Sequence, residues 1–144
     1  MIHMQNTKHA IMVAPQTIGT TAVSGYVDTL HADYVTVTMD CATAAAGDVF
    51  TALVLQHGDT TSAFTNITGY VGGTSFDIPA PNTSTPDTLR FHLDRNKTQL
   101  KRYVNISITG DATTRTCSVS ADLSRLNATP TSASEAGCTT LVTV

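Results

Sequence analysis

The sequence predicts an all-β protein: an antiparallel β-sandwich, jelly-roll-like, with extended N- and C-terminal arms. Short stretches alternate apolar and polar residues with a period of two, and turn signals separate them at roughly the 8–12-residue spacing typical of sandwiches. No helical period persists beyond one turn. Threonine fills roughly a fifth of the 144 positions and suits a half-buried pleated surface. A closed two-sheet form is expected because it protects strand edges.

The clearest alternation lies in Leu100–Leu126, on both sides of Gly110-Asp111. This pattern predicts an antiparallel hairpin with one buried face. Most outward residues of the hairpin are uncharged, so we expect another protein to cover that face. The predicted inward residues are Val104, Ile106, Ile108, Cys117, Val119, Ala121 and Leu123, and the outward ones include Tyr103, Asn105, Ser107, Ser118 and Ser120.

Other strands are expected on both sides of a Pro-rich surface loop at Ala80–Asp87. The glycine at position 25 indicates a bulge or a close backbone approach, and three phenylalanines, Phe50, Phe64 and Phe91, are assigned to the core. Arg95–Gln99 is expected to be a polar turn. The remaining predicted strands are Lys8–Val13, Thr21–Leu30, Tyr34–Asp40, Phe50–Gln56, Phe64–Thr68, Thr74–Ile78, Leu89–Asp94 and Thr139–Val144.

The chain is expected to have three parts: an N-terminal arm over residues 1–19, the sandwich domain over 20–126, and a linker with a C-terminal strand over 127–144. For the first part, an edge strand with a frayed end remains an equal alternative. Both ends carry apolar residues outside the main alternation, so we expect them to make contacts between subunits. The predicted contact residues are Ile11, Met12, Tyr103, Asn105, Leu141 and Val142.

The charge pattern argues against nucleic-acid binding. Net charge is −3 and only 13% of residues are charged, whereas a nucleic-acid binder needs a basic face. The first residues lack the basic start and apolar run of a secretory signal, and no apolar stretch could span a bilayer. We therefore expect a soluble protein that is made in a cytoplasm and does not associate with membranes.

No pattern predicts catalytic, cofactor-binding or metal-binding residues, so the chain is not expected to be an enzyme. The five histidines lack the close spacing of a zinc pair. Three cysteines cannot all pair within one chain, and Cys117 is interpreted as a small buried hydrophobe. A Cys41–Cys138 disulfide remains a minor alternative.

Three segments carry a family resemblance. They are HADYVTVTMD at His31–Asp40, ALVLQHGDTTSAFTNITGYVGG at Ala52–Gly73, and KRYVNISITG with CSVSADLSR within Lys101–Arg125. The chain resembles the capsid cement or decoration proteins of tailed bacteriophages. In these a strand ending Leu-Gln-(Glu/His)-Ser/Gly-Asp precedes an aromatic-Thr-Asp/Asn-Ile-Thr-Gly segment, and a Lys-Arg-Tyr strand follows. The chain departs from the family in Asn105 and in its tail beyond Leu126.

The resemblance implies a structural virion protein that binds the exterior of an assembled capsid. Its partner would be the major capsid protein, it would form a homotrimer, and it would have no catalytic residues. A ligand that binds only the assembled lattice stabilises that lattice by mass action. The alternative is a carbohydrate- or receptor-binding sandwich of a phage tail or fibre. Against it, the chain has no tryptophan, and its tyrosines and phenylalanines are spread along the sequence.

Overall fold

The computed structural model describes residues 7–112, 115–126 and 133–136. These ranges form eight strands and two single-turn helices. The strands are β1 (Thr7–Ile18), β2 (Val23–Asp28), β3 (Tyr34–Cys41), β4 (Phe50–Gly58), β5 (Thr65–Val71), β6 (Asp87–Asp94), β7 (Tyr103–Gly110) and β8 (Arg115–Ser124). The helices are α1 (Arg95–Thr98) and α2 (Ala133–Ala136). Within the described ranges, no helix is long and apolar enough to cross a lipid bilayer.

The strands form two four-stranded antiparallel sheets, in the orders β1-β8-β3-β6 and β2-β7-β4-β5. The first is called sheet A and the second sheet B. This confirms the predicted antiparallel β-sandwich. The strands are nested, with β1 beside β8, β2 beside β7, β3 beside β6 and β4 beside β5. Rolling up one long hairpin of eight strands produces this order, and we interpret it as jelly-roll-like.

The predicted hairpin at Leu100–Leu126 is wrong in its pairing. β7 lies in sheet B between β2 and β4, whereas β8 lies in sheet A between β1 and β3. The segment after Gly110 therefore crosses from one sheet to the other. Alternation assigns each side chain to a face, but it does not identify the partner strand. The faces themselves are confirmed: all seven residues predicted to point inward are buried in one core cluster.

The core lies between the two sheets and takes apolar side chains from both. In β3 the inward residues Val35, Val37 and Met39 have no exposed surface, and they belong to the same core cluster as Leu53 and Leu55 of β4. This alternation of buried and exposed residues is what a two-sheet packing requires. The outer face of each sheet is left for other contacts.

Residues Thr7–Ile18 belong to the sandwich and not to a separate arm, because β1 pairs with β8 along its length. The edge-strand alternative therefore describes this segment. The predicted C-terminal strand Thr139–Val144 lies outside the described residues. In the predicted linker, Ala133–Ala136 forms α2, which contacts β1.

Two other predicted segments differ from the structure. Thr74–Ile78 does not form a strand, and only an isolated bridge joins Gly72 to Phe76. Arg95–Gln99, predicted as a polar turn, contains the single turn of α1, and Asp94 caps that turn by accepting a hydrogen bond from the Asn96 amide.

Candidate interaction face on the outer side of sheet B

The outer face of sheet B brings together aromatic residues that are far apart in the sequence. Tyr26 of β2 and Tyr103 of β7 meet edge to face with ring centroids 5.9 Å apart, and the centroid of the Phe64 ring lies 6.2 Å from that of Tyr26. Tyr26 is 50% exposed, and the other two rings are half-buried. Such pairs prefer this tilted geometry and gain free energy beyond the area they bury. The three rings form an exposed aromatic cluster.

Gly58 makes this cluster geometrically feasible. A Cβ atom on Gly58 would lie 2.1 Å from the carbonyl oxygen of Ala63 and 3.1 Å from the Phe64 ring. The missing side chain lets the chain turn tightly back over β4. The Phe64 ring can therefore extend across β4 and pack near Tyr26.

A row of side-chain amides crosses the sheet beside the rings. Asn105, Gln56 and Asn66 lie opposite one another on β7, β4 and β5, in the same register row as Tyr26. The Asn105 amide donates to Gln56 Oε1 at 2.9 Å, and the Gln56 amide donates to Asn66 Oδ1 at 3.0 Å. The bond to Gln56 satisfies part of the hydrogen-bonding capacity of the Asn105 side chain, and this residue is only 3% exposed. We call Tyr26, Phe64, Tyr103, Asn105, Gln56 and Asn66 the aromatic–amide patch.

The charges at the edge of the patch are paired. Arg102 binds both carboxylate oxygens of Asp28, with its shortest bond, from Nη2, at 2.7 Å, and its guanidinium lies 5.0 Å from the centre of the Tyr103 ring. The hydrogen bond from Arg102 holds the pKa of Asp28 below its ordinary value. Lys101 lies 3.1 Å from Asp59. An apolar centre with a paired, charged rim is the usual composition of a protein interface.

The six predicted contact residues lie in different places. Tyr103 and Asn105 belong to the patch, although Asn105 is buried within it. Ile11 is 66% exposed on the outer side of sheet A, whereas Met12 packs in the core. Leu141 and Val142 lie outside the described residues. Of the four predicted residues that the structure describes, only Tyr103 and Asn105 lie together.

Four patch residues were missed in the sequence. Phe64 was assigned to the core, and the sequence offers no signal for its outward position. Tyr26 alternates with the buried Val27, and Gln56 alternates with the buried Leu55, so the period of two does place both on an outer face. What was missing was the strand order that sets Tyr26 beside Tyr103.

Two of the described histidines, His9 and His92, lie on the outer side of sheet A. His9 lies 2.7 Å from Asp122, and His92 lies 3.2 Å from Thr36. Within the described ranges, no group of three or more histidine, cysteine, aspartate or glutamate side chains is placed to hold a metal ion.

Comparisons with known proteins identify relatives of the fold. No protein-family model and no curated protein matches the chain. The structure of the infectious bursal disease virus Gx strain is similar over 85% of this chain and 32% of that one, with TM-score 0.51 and 8% identity. The VP2 subviral particle of the same virus is similar over 84% of this chain and 33% of that one, with TM-score 0.52 and 12% identity.

The chain thus spans about a third of the length of these two viral proteins. At such identities the likeness concerns the fold. A structure titled as Bacillus endospore appendages that form disulfide-linked pili has TM-score 0.44, with 15% identity over 83% of this chain and 88% of that one.

Proposed function

We propose that this protein is a non-enzymatic structural component of a virion, which binds the outer surface of a phage capsid and stabilises the coat lattice. Its partner is the major capsid protein, and the patch on sheet B is the face that docks. The observation that carries the proposal is the exposed aromatic cluster with its paired charged rim. Interfaces are enriched in tyrosine, phenylalanine and arginine in this arrangement.

The fold supports this role in a general way. Both viral structures described above contain the two-sheet architecture, and a sandwich of this kind can serve as a scaffold. The family resemblance adds a tailed-phage source and a homotrimer. The motif residues Gln56, Phe64 and Tyr103, which carry that resemblance, all lie in the patch, so one surface combines the sequence pattern and the interface chemistry.

Co-sedimentation tests the proposal. Purified protein is mixed with shells assembled from the coat protein of the same genome, and the bound fraction is measured over a range of concentrations. Tyr26→Ala and Tyr103→Ala should each weaken binding about tenfold or more, since aromatic residues at the centre of an interface carry much of its free energy. Native mass spectrometry of the unbound protein tests the trimer.

Arg90→Ala is the matched control, because it removes a large exposed side chain from the outer face of sheet A and should leave binding unchanged. Equal affinities for the wild type and both tyrosine variants would reject the patch as the docking face. A monomer that does not bind the shells at all would reject the function.

The second candidate is a carbohydrate-binding module, and the patch itself favours it. The aromatic residues that look dispersed in the sequence converge next to side-chain amides, and sugar rings are bound by stacking on aromatic faces and by amide hydrogen bonds. A glycan array is the discriminating measurement. Saturable binding to one glycan, lost in Tyr26→Ala, would favour this candidate over the capsid.

A further inference from the structure

Two buried cysteines lie next to each other on the two central strands of sheet A. Cys41 ends β3 and Cys117 lies near the start of β8, and the two are direct register partners. Their sulfur atoms are 3.2 Å apart, and each residue is 2% exposed. Both are free thiols. The burial of Cys117 confirms that part of its interpretation as a small buried hydrophobe. Its contact with Cys41 is not predicted by the sequence.

The backbone geometry at this pair is compatible with a disulfide. The neighbouring Ala42 amide donates to the Thr116 carbonyl at 2.9 Å, so Ala42 and Thr116 form a hydrogen-bonded pair. In an antiparallel ladder such pairs alternate with non-hydrogen-bonded ones, so Cys41 and Cys117 form the closer type, with Cα atoms about 4.5 Å apart. Disulfides span Cα separations of about 4.4–6.8 Å.

A surface pocket borders the pair. It has a volume of about 380 Å³, and its lining residues include both cysteines, Pro15 of β1 and Pro86 just before β6. Each cysteine exposes little surface, because both belong to the core cluster.

The buried cation Arg115 lies close to the pair. Arg115 is 2% exposed, it pairs with Asp87, and its Nε donates to the Ala42 carbonyl at 3.2 Å. Its Nη1 has no hydrogen-bond partner among the residues that the structure describes. The hydrogen bond from Cys117 and the charge of Arg115 lower the pKa of the Cys41 thiol, although burial opposes them. The pKa of Cys117 is raised, first because it donates that hydrogen bond and then because of burial.

We propose that Cys41 and Cys117 form an internal disulfide when the protein meets a small disulfide oxidant. This bond would join β3 to β8, the two central strands of sheet A. The protein would stay reduced in a reducing cytoplasm and become cross-linked once released from the cell. The inference does not depend on the proposed function.

The reaction is a thiol–disulfide exchange in two steps. The Cys41 thiolate attacks one sulfur of the oxidant, which releases one thiolate and leaves a mixed disulfide on Cys41. Cys117 then loses its proton and attacks the Cys41 sulfur, so the second half of the oxidant leaves as a thiol. Two protein thiols are oxidised to one disulfide, and one oxidant disulfide is reduced to two thiols.

The test uses the full chain with Cys138→Ser, so that only the proposed pair can react. The folded protein is incubated with 2-hydroxyethyl disulfide and analysed by intact mass spectrometry. We expect the loss of the mass of two hydrogen atoms, its recovery with dithiothreitol, and a cross-linked peptide containing Cys41 and Cys117 in a non-reducing digest. An unchanged mass in the folded state, while the same protein reacts in guanidinium, would overturn the proposal.

The order of attack is tested with single substitutions in the same background. Cys117→Ala should stop at a mixed disulfide on Cys41, whereas Cys41→Ala should react far more slowly. Alanine keeps each site small and apolar, and circular dichroism verifies that both variants fold. A persistent adduct on Cys41 in the protein that retains Cys117 would also overturn the inference, because the second thiol would then fail to complete the bond.

Discussion

Gly25 is the residue that allows β2 to pass close to β1, where the register of β1 shifts around Met12. A Cβ atom on Gly25 would lie only 1.8 Å from the Met12 carbonyl oxygen. Real Cβ atoms do not approach a backbone oxygen so closely, so any other residue would push the two strands apart. The sequence indicated a bulge or a close approach at this glycine, and the close approach is confirmed.

Gly25→Ala should therefore destabilise the fold by about 3 kcal/mol or more, because the conflict is with backbone and cannot be relieved by a side-chain rotation. Urea denaturation followed by circular dichroism measures the change. Gly47→Ala is the matched control, since nothing lies within 4 Å of its added Cβ atom, and it should change stability by less than about 0.5 kcal/mol. Similar midpoints for the two variants would contradict the close approach.

His57 should make stability depend on pH. Burial first, and the nearby charge of Lys101 second, lower the pKa of its imidazole, and Nδ1 accepts a hydrogen bond from the Lys101 amide at 3.4 Å. The folded state thus favours the neutral ring. Its contribution is complete above the unfolded pKa of about 6.5 and is lost as the pH falls through that value towards the lower folded pKa.

We expect the free energy of unfolding of the wild type to fall more steeply between pH 7 and pH 5 than that of His57→Gln. Denaturant titrations at several pH values measure the difference, and the other histidines are common to both proteins. Parallel pH profiles would show that His57 titrates as it does in the unfolded chain.

Among the elements, the row of side-chain amides formed by Asn105, Gln56 and Asn66 links the three strands β7, β4 and β5. The Asn105 side chain is buried and donates to Gln56, which in turn donates to Asn66 at the exposed end of the row. Removing the middle member leaves a buried donor without its acceptor, whereas removing the last member leaves an exposed one that water can satisfy.

Gln56→Ala should therefore cost about 1–3 kcal/mol of stability, and Asn66→Ala about 0.5 kcal/mol or less. Thermal and urea unfolding of the two variants provide the comparison. An Asn66→Ala variant as unstable as Gln56→Ala would mean that the row acts as a single cooperative unit.

The elements also show how much of the fold the sequence could predict. Alternation was sufficient for β3, β7 and β8, because each has one buried face and a shift by one residue would expose it. Alternation was insufficient for β1, because the register shifts near Met12 break its period of two. It also could not identify the strand that pairs with β7. Partner choice depends on contacts between residues far apart in the chain.

The candidate site was predictable in part for the same reason. Tyr103 was placed on an outer face by its neighbours in β7. Phe64 was not, since its position depends on the missing side chain of Gly58 and on the Ala63 carbonyl, a tertiary contact. The pairing of Cys41 with Cys117 likewise follows from the β3–β8 register and not from sequence spacing.

For the whole molecule, the proposed homotrimer leads to a prediction about the C-terminal segment. Deleting residues 137–144 removes the predicted contact residues Leu141 and Val142 but retains α2. We expect a weaker trimer, so that monomers appear at protein concentrations at which the wild type is still trimeric. The Tm of the domain should change by a few degrees at most. Native mass spectrometry and calorimetry measure the two effects. A collapse of the Tm with an intact trimer would assign this segment to the core of the monomer.

The nested order of the strands also bears on how the chain folds. β1 is synthesised before the other strands of the sandwich, yet its partner is β8, and the register joins Thr7 to Ser124. Sheet A therefore cannot close until almost the whole sandwich has been made. Proteins dominated by such distant pairings fold in milliseconds to seconds, more slowly than helical bundles, because a large loop entropy is lost before the contacts form. During that interval β1 presents an unpaired edge, so synthesis at high concentration should favour domain swapping through this strand.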